Sequence, residues 1–321
     1  MPLRKIILIV ITIAGAIVLK LAFDRLQAPA IEDAPIAAPS PPANSAPRIF
    51  RHVRENLTLK KDLDLGAMTL DTIFSIEADG LTIDCAGHRI VSRAETGIVA
   101  NDVRGLTVKN CLFEGVRDGL ASRGARDVAV RGGAFTVRRH GIRMQHAAGV
   151  VVDGVTFRAT EHHSLAMAVE FTLSENVAVE NCVVRGFDQG ILFVASREVN
   201  AANNDIADIV ETGIGTFQGE KLNGSGPGVI RGNKIVRAMM GLEIDAGSFD
   251  LEIADNEIRR CESWLRLSDG GGEHLYNPLR NIRFVRNRID QRIDVESFGL
   301  QDATGIFFEN NVVEKRIGED S

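Results

Sequence analysis

The chain has 321 residues, 31 of them glycine, and only 5% of its residues are aromatic. Its formal net charge is −6, and the body after residue 27 is more acidic still, because residues 1–27 hold more basic than acidic side chains. Phosphate contacts dominate nucleic-acid affinity, so this composition excludes a general nucleic-acid binder. Its few scattered cysteines also exclude a small disulfide-dense scaffold.

Residues 1–27 are predicted to be an export segment. Two basic residues precede an apolar run from Ile6 to Leu19, and Lys20 then interrupts it. The run is short for a spanning helix unless the lysine snorkels, so an uncleaved inner-membrane anchor and a cleaved signal peptide both stay open. In both cases the body is expected outside the cytoplasm, either periplasmic and tethered to the inner membrane or secreted if residues 1–30 are removed.

Residues 28–47 are rich in alanine, proline and serine, and we expect them to form a semi-extended linker that buries no core. The remaining residues, 48–321, are assigned to a single domain.

This domain repeats itself with a period of roughly 22 to 30 residues. One half of each unit begins with glycine and an apolar residue. Ser164-Leu165 and Trp264-Leu265 keep the apolar residue but lack the glycine. The glycines concerned are Gly97, Gly119, Gly141, Gly190, Gly213 and Gly241.

The other half of the unit reads apolar-x-x-Asn-x-apolar. Stacked asparagines at a tight turn can bond to one another and to turn backbone groups that would otherwise be buried unpaired. The asparagines at this position are Asn204, Asn233, Asn256, Asn287 and Asn311.

Alternation of apolar and polar residues indicates strands with one face buried. The period is too short for strand-helix-strand units, and the consensus of leucine-rich repeats is absent. The sequence therefore predicts an all-β fold, a right-handed single-stranded parallel β-helix of about nine or ten coils.

The segment Gly80 to Ile90 (GLTIDCAGHRI) is similar to the LDGNGHTI opening that is common in the pectate-lyase-like superfamily of right-handed β-helices. The resemblance covers about residues 70–314. It implies the fold and a carbohydrate-active function, because the superfamily includes polysaccharide lyases, epimerases and hydrolases. The paired-aspartate and Arg-Ile-Lys pattern of polygalacturonases is absent, as is the Asp-Pro-His-Asp motif of alginate epimerases, so no single activity is implied.

The four cysteines, Cys85, Cys111, Cys182 and Cys261, are interpreted as small buried hydrophobic residues. A bridge between Cys85 and Cys111, on adjacent coils, is the alternative.

The two positions before each repeat glycine are expected to stack from coil to coil, about 5 Å apart. A histidine beside a carboxylate can transfer protons near neutral pH, and an arginine can neutralise the carboxylate of an acidic sugar. We predict His140 or His163 as the base and Arg143 as the charge neutraliser, with solvated turn residues as the opposing interpretation. The predicted catalytic residues are His140, His163, Arg143, Asp188 and Glu211.

Substrate-binding residues are predicted on the same outer face and its flanking turns. These turns are short in most coils but long at residues 216–228 and 268–281, on one side of the solenoid, where they would wall a groove or cover the face. The single Trp and the single Tyr lie in or near the second turn and are suited to stack on sugars. The predicted substrate-binding set is Arg139, Gln145, Gln189, Phe217, Trp264 and Tyr276.

The outer face is also expected to carry a small or apolar strip, which a solvated face should not show. We expect a second copy of the chain, the chain's own loops or a ligand to cover it. Its predicted members are Ala166, Ala168, Leu192, Val194, Gly215 and Phe217.

An arginine-rich stretch over residues 117–158 lies beside the predicted histidines and suits an anionic polymer, whereas residues 239–273 are acidic. No cofactor is predicted. A divalent-metal site built from His140, His162, His163 and Asp188 is a weaker alternative, because no element carries a pair of ligands at metal-binding spacing.

Three functions follow from these patterns. The first is an extracytoplasmic polysaccharide lyase or epimerase that acts on an acidic polysaccharide. The second is a non-catalytic polysaccharide-binding or envelope-assembly module, and a periplasmic metal-handling β-helix is the third. The sequence leaves open whether the protein is an enzyme.

Overall fold

A computed structural model describes residues 48–160, 166–219, 224–268, 277–290, 295–298 and 303–313. The predicted export segment 1–27 and the linker 28–47 lie outside this part of the chain. Every regular element in the described part is a β-strand, and the strands stack into three parallel ladders, as the alternating sequence predicts.

Ladder 1 is an 11-stranded sheet. Its strands are β2 (Leu57–Thr58), β5 (Thr82–Asp84), β8 (Thr107–Lys109), β11 (Arg126–Arg131), β14 (Ala148–Asp153), β17 (Glu175–Glu180), β20 (Arg197–Ala202), β22 (Gly228–Arg231), β24 (Phe249–Ala254), β27 (Arg280–Val285) and β30 (Thr304–Glu309).

Ladders 2 and 3 belong to one sheet, because two long strands, β21 (Asp205–Phe217) and β23 (Lys234–Ile244), run through both. Ladder 2 otherwise contains β3 (Leu63–Asp64), β6 (Arg89–Val91), β9 (Leu112–Glu114), β12 (Ala134–Val137), β15 (Thr156–Ala159), β18 (Val183–Arg185), β25 (Glu257–Arg259), β28 (Arg288–Ile289) and β31 (Val312–Val313). Ladder 3 otherwise contains β1 (Ile49–Val53), β4 (Thr72–Ile76), β7 (Thr96–Val99), β10 (Asp118–Arg123), β13 (His140–Gln145), β16 (Met167–Thr172), β19 (Gln189–Val194), β26 (Ser263–Ser268) and β29 (Val295–Phe298).

The core is a continuous column of apolar side chains inside the three ladders. In β14, for example, Val150 and Val152 are fully buried whereas Val151 between them faces outward. Equivalent side chains of successive coils lie in contact, so the ring centroids of Phe113 and Phe135 are 5.4 Å apart. Burial along the whole axis, rather than one central core, therefore stabilises the solenoid.

The repeat glycines are required by close packing at the start of ladder 3. A Cβ on Gly141 would lie 2.4 Å from the carbonyl oxygen of Ala168 and 2.5 Å from Cδ1 of Phe157. Ala168 itself occupies the glycine position of the next coil, where the smaller Val184 takes the place of Phe157 in ladder 2. A glycine is therefore needed at this position in a coil where the facing side chain of ladder 2 is as bulky as Phe157.

The predicted asparagine ladder is confirmed at the turn between ladders 1 and 2. Asn233 Nδ2 donates to Asn256 Oδ1 at 3.0 Å and to the carbonyl oxygen of Ala201 at 2.8 Å. The backbone N–H of Asn233 donates to the same Asn256 Oδ1 at 2.9 Å. Each amide thus satisfies buried groups of two neighbouring coils. This pattern recurs from Asn204 to Asn311.

The same turn position holds cysteine in earlier coils. Cys85 and Cys111 form a disulfide, so the interpretation of all four cysteines as unbridged residues is wrong for this pair. Cys182 and Cys261 are free and buried, and their burial raises the pKa of each thiol to about 11, which keeps both thiols protonated and unreactive.

Candidate functional site

The predicted site lies on the outer side of ladder 3. We call the outward side chains of β10, β13, β16 and β19, together with those of the C-terminal halves of β21 and β23, the ladder 3 face. The register aligns Ala121, Arg143, Glu170, Leu192 and Gly215 in one row along this face.

The register corrects the predicted alignment of one coil. Because Ile142 pairs with Val169, Met167 and not His163 stands in line with His140. Ala166 and Ala168, predicted to face outward, are buried at 1% and 0% exposure. The coil is longer than the coils on either side of it by the segment that contains residues 161–165, and His162 and His163 within it lie outside the described residues.

His140 carries a buried imidazole that has no hydrogen-bond partner in the described part of the chain. It is 2% exposed, and neither ring nitrogen has a partner among the described residues. Burial, followed by the charges of Arg139, Arg143 and Arg117, lowers its pKa to about 3. The imidazole is therefore neutral at pH 7, and its pKa lies well below the value near neutrality that a paired carboxylate was expected to give.

The carboxylate next to His140 is Asp118, which the sequence analysis did not select. Asp118 is buried, and its Oδ1 accepts a hydrogen bond from the backbone N–H of His140 at 3.3 Å. Its Oδ2 lies 3.7 Å from an Nη atom of Arg117. Asp118 could have been predicted from the sequence, because it directly precedes a repeat glycine and therefore stands in line with His140.

Three arginines surround this imidazole, and we call His140, Arg117, Arg139 and Arg143 the His140 cluster. Arg117 pairs with Glu95 and with Asp118. Arg139 and Arg143 form no ion pair with a described carboxylate, and both are partly exposed. The cluster can therefore accept an anionic group from solvent.

Asp188 and Glu211 are placed farther along the axis. Asp188 is two coil steps from His140, about 10 Å. Its Oδ2 accepts a hydrogen bond from the N–H of Ala166 at 3.2 Å, while Gln189 Nε2 donates to Glu211 Oε2 at 2.8 Å. Both carboxylates thus hold local structure and lie beyond direct contact with the imidazole.

Two further carboxylates lie on this face, and one of them, Glu170, follows from the corrected register. Glu170 stands in line with Arg143 and accepts a hydrogen bond from Thr172 at 3.0 Å. Glu243 Oε2 accepts from Thr212 Oγ1 at 2.6 Å, and Arg266 lies 3.4 Å from its other oxygen. The face is therefore basic at the coils of β10 and β13 and carries a carboxylate in β16 and another in β23.

The apolar centre of the face spans fewer coils than predicted and is largely self-covered. It keeps Leu192 and Val194, but Glu170 and Thr172 replace the two predicted alanines. A Cβ on Gly215 would lie 2.3 Å from the ring of Phe217, so this ring covers Gly215, and Leu192 beside it is 3% exposed. Phe217 therefore packs on the face, and the predicted oligomer contact stays a prediction.

The predicted aromatic stacking platform is not formed by Trp264. Its side chain is 1% exposed and packs edge-on against Phe284 and Phe308 inside the solenoid. It occupies the position of a repeat glycine, whose direction is inward. Tyr276 lies outside the described residues, as do residues 220–223 and most of the second long turn. Gln145 is partly exposed beside Thr172.

Within the described residues, no group of three or more histidine, cysteine, aspartate or glutamate side chains is arranged to hold a metal ion. The same part of the chain contains no helix with the length and apolar character needed to span a membrane.

Several solved structures share this architecture. Endo-xylogalacturonan hydrolase from Aspergillus tubingensis is similar with a TM-score of 0.56 and 13% identity, over 84% of this chain and 85% of that one. The tailspike of E. coli bacteriophage HK620 gives 0.53 and 11%, over 82% of this chain and 59% of the tailspike. PfbA, a surface adhesin of Streptococcus pneumoniae, gives 0.51 and 11%, over 79% and 71%. Such identities indicate a common fold alone.

No curated protein matches the sequence. A family model described as "Right handed beta helix region" matches residues 96–258, which include most of the ladder 3 face and the His140 cluster. With its three parallel ladders and its asparagine-lined turn, the chain belongs to the right-handed β-helix family.

Proposed function

We propose that this protein is an extracytoplasmic, carbohydrate-active β-helix that binds an acidic polysaccharide along the ladder 3 face and acts on it as a lyase or an epimerase. The observation that carries the proposal is the His140 cluster, in which a buried imidazole with no partner among the described residues lies near three arginines. Two of these arginines, Arg139 and Arg143, pair with no described carboxylate, so the site attracts an anion.

The chemistry follows from the positions of these groups. Arg143 and Arg139 pair with the carboxylate of a uronate residue and stabilise the negative charge that develops when the neighbouring carbon loses its proton. His140 is neutral and accepts that proton. Burial is the main cause of the low pKa of His140, and the substrate carboxylate offsets only the arginine charges that lower the pKa further, so it makes the imidazole a somewhat stronger base in the complex.

Several observations support the carbohydrate class and the location. The HK620 tailspike, which shares the fold, has been crystallised with a pentasaccharide, and the similar Aspergillus protein is a xylogalacturonan hydrolase. The disulfide between Cys85 and Cys111 suits an oxidising compartment outside the cytoplasm. Residues 1–27 would tether the protein to the inner membrane or direct its secretion.

A second candidate is a polysaccharide-binding or assembly module without catalysis. The specific observation that favours it is the pKa of about 3 for His140, because a base this weak drives proton transfer poorly unless the substrate raises that pKa.

One set of variants separates the two candidates. Arg143→Ala is expected to weaken binding of polygalacturonate at least about tenfold at low salt. Arg131→Ala, an arginine exposed on ladder 1, should leave binding unchanged. Equal affinities of the two variants would reject the site.

Turnover is measured as unsaturated product for a lyase and as deuterium uptake from D2O for an epimerase, across a panel of acidic polysaccharides. His140→Gln should lower turnover about 100-fold or more while the polymer still binds. Binding by the unmodified protein without either activity would favour the module, and a His140→Gln variant with full activity would exclude His140 as the base.

A further inference from the structure

A row of turn residues runs along the molecule at the entry to ladder 1, away from the His140 cluster. In several coils the residue before the first buried position of the strand has a left-handed backbone, with φ of 52° at Asn176, 51° at Glu198, 51° at Asp250 and 52° at Asn281. The left-handed conformation turns the chain sharply into the strand in these coils. Its consequence is a line of polar side chains parallel to the axis.

One coil interrupts this line. Pro227 occupies the position between Glu198 and Asp250, so two coil steps, about 10 Å, separate those two carboxylates. At the gap lies an open depression of about 580 Å³, which we call the notch, and Pro227 and the 38% exposed Val229 contribute apolar surface to it. A volume of this size can accommodate a sugar ring, and the floor is apolar between polar side chains.

The notch continues along the axis. A second cavity of about 320 Å³ shares Glu198 with the first and extends past Asn176 to Arg126. Two cavities that meet at one side chain form a groove, and a groove parallel to the coil axis fits an extended chain better than a compact ligand.

The charges of this groove are opposite in sign to those of the His140 cluster. Glu198, Asp250 and Glu252 line the larger cavity, and Glu252 pairs with Arg283, 3.7 Å away in the same lining, and with Arg231 at 4.0 Å. Asn281 Nδ2 donates to Asp250 Oδ1 at 2.8 Å. Carboxylates thus outnumber the basic residues along the groove, which are Arg283 in the larger cavity and Arg104 and Arg126 in the smaller one. The carboxylates can accept hydrogen bonds from hydroxyl donors beside a largely apolar floor.

We propose that this groove is a second glycan site, which binds a neutral polysaccharide chain. The hydroxyl groups of the sugars donate to the Glu198, Asp250 and Glu252 carboxylates, and their C–H faces pack on Pro227 and Val229. The protein then holds two polymers at once, an acidic one on the ladder 3 face and a neutral one on the edge of ladder 1. This site does not depend on the His140 cluster.

The test uses the full chain in mild detergent and affinity electrophoresis through gels that contain a neutral galactomannan, a neutral glucan or polygalacturonate. Val229→Arg fills the notch at a surface position and should weaken binding to the neutral polymer about tenfold. Val312→Arg, at a valine in the last coil that is more exposed than Val229 (52% against 38%), is the control with the same charge change and should bind as the unmodified protein does. Arg143→Ala should bind the neutral polymer normally.

Glu252→Gln, which keeps the size of the side chain, provides a second variant if Val229→Arg fails to fold, and it should also weaken binding to the neutral polymer. The proposal is overturned if neither neutral polymer retards the unmodified protein, or if the folded groove variants match Val312→Arg. If the unmodified protein bound a neutral polymer but not polygalacturonate, the result would count against the proposed role of the His140 cluster and would support this groove.

Discussion

The two halves of the solenoid stabilise the turn between ladders 1 and 2 with different side chains. From Asn204 onward, the position that enters ladder 2 is an asparagine in every coil, and the amides bond from coil to coil. In the earlier coils the same position holds a disulfide between Cys85 and Cys111, then Gly133, Val155 and Cys182. The backbone conformation of the turn does not depend on the side chain, because left-handed residues precede the position in both halves, at Asn110 and Asn203 for example.

The residue that shapes the turn is therefore different from the residue that stabilises it. The left-handed residue sets the path of the chain, whereas the interior side chain determines how buried N–H and C=O groups are paired. The first half replaces polar pairing by a covalent link and apolar packing. The second half depends on an uninterrupted row of amides, so one missing amide affects two neighbouring coils.

The largest effect is expected from Asn256→Ala, in the middle of the asparagine row. This change removes the acceptor of both the N–H and the side-chain amide of Asn233, and the donor to the carbonyl oxygen of Ile230. Because buried unpaired groups cost about 1–3 kcal/mol each, we expect about 4 kcal/mol of lost stability in urea denaturation.

Asn200→Ala is the matched control, since Asn200 faces outward and bonds only to Glu180 among the described residues. We expect it to cost less than about 1 kcal/mol. If both alanine variants unfolded at the same urea concentration, the asparagine row would not stabilise the second half in the way described.

Removal of the disulfide should weaken the first half by a somewhat smaller amount. The bridge closes a loop with a sequence separation of 26, and a link of this size contributes about 3 kcal/mol. Cys85→Ala with Cys111→Ala should speed hydrogen exchange in β5 to β9 and leave β24 to β28 unchanged. The free, buried Cys261→Ala is the control, and faster exchange at both ends of the solenoid would contradict the local role of the bridge.

Much of the difference between the two halves could be predicted from the sequence, and each wrong prediction has an identifiable cause. The asparagine spacing predicted the ladder because five residues recur in the same local pattern. The alignment at Ser164-Leu165 was wrong because Ala168-Val169 fits the same pattern, and only pairing between coils distinguishes the two.

Trp264 shows a second kind of limit. The residue type predicted an exposed platform for sugar stacking. Its position in the repeat is that of a glycine, which faces the interior, and this position predicted the burial of the side chain correctly. The sequence itself placed Arg139 and Arg143 near His140, whereas the charge of Arg117 reaches His140 from the preceding coil and depends on how the coils stack.

Acid should affect the first half before the second. The pKa of His140 is about 3 in the folded protein and near 6.5 when unfolded, so the unfolded chain binds the proton more readily between these values. The contribution of His140 to stability is complete above pH 6.5 and is lost as the pH falls toward 3. Urea midpoints at pH 7 and pH 4 should therefore differ more for the unmodified protein than for His140→Gln, and hydrogen exchange at pH 4 should rise first around β13. His146→Gln, at an exposed turn, should follow the unmodified protein, and parallel pH curves for all three would exclude the effect.

The smallest effect is a gain of stability from Cys182→Asn, which would extend the asparagine row by one coil. Cys182 already donates its N–H to Asn204 Oδ1 at 2.9 Å, and its thiol lies 3.7 Å from the carbonyl oxygen of Val152, the group that an asparagine at this position would bond. A new amide would also donate to Asn204 Oδ1, for a gain of about 1 kcal/mol.

Val155→Asn tests whether an asparagine in one coil stabilises the protein only when the next coil also has an asparagine at this position. Alone it should destabilise the protein, because the next coil then offers a thiol instead of an amide oxygen to the new side chain. Combined with Cys182→Asn, it should cost less, so a double-mutant cycle is expected to give a favourable coupling of about 1 kcal/mol. Purely additive effects would mean that each asparagine acts on its own coil, and that the two halves differ in composition and not in how their coils are linked.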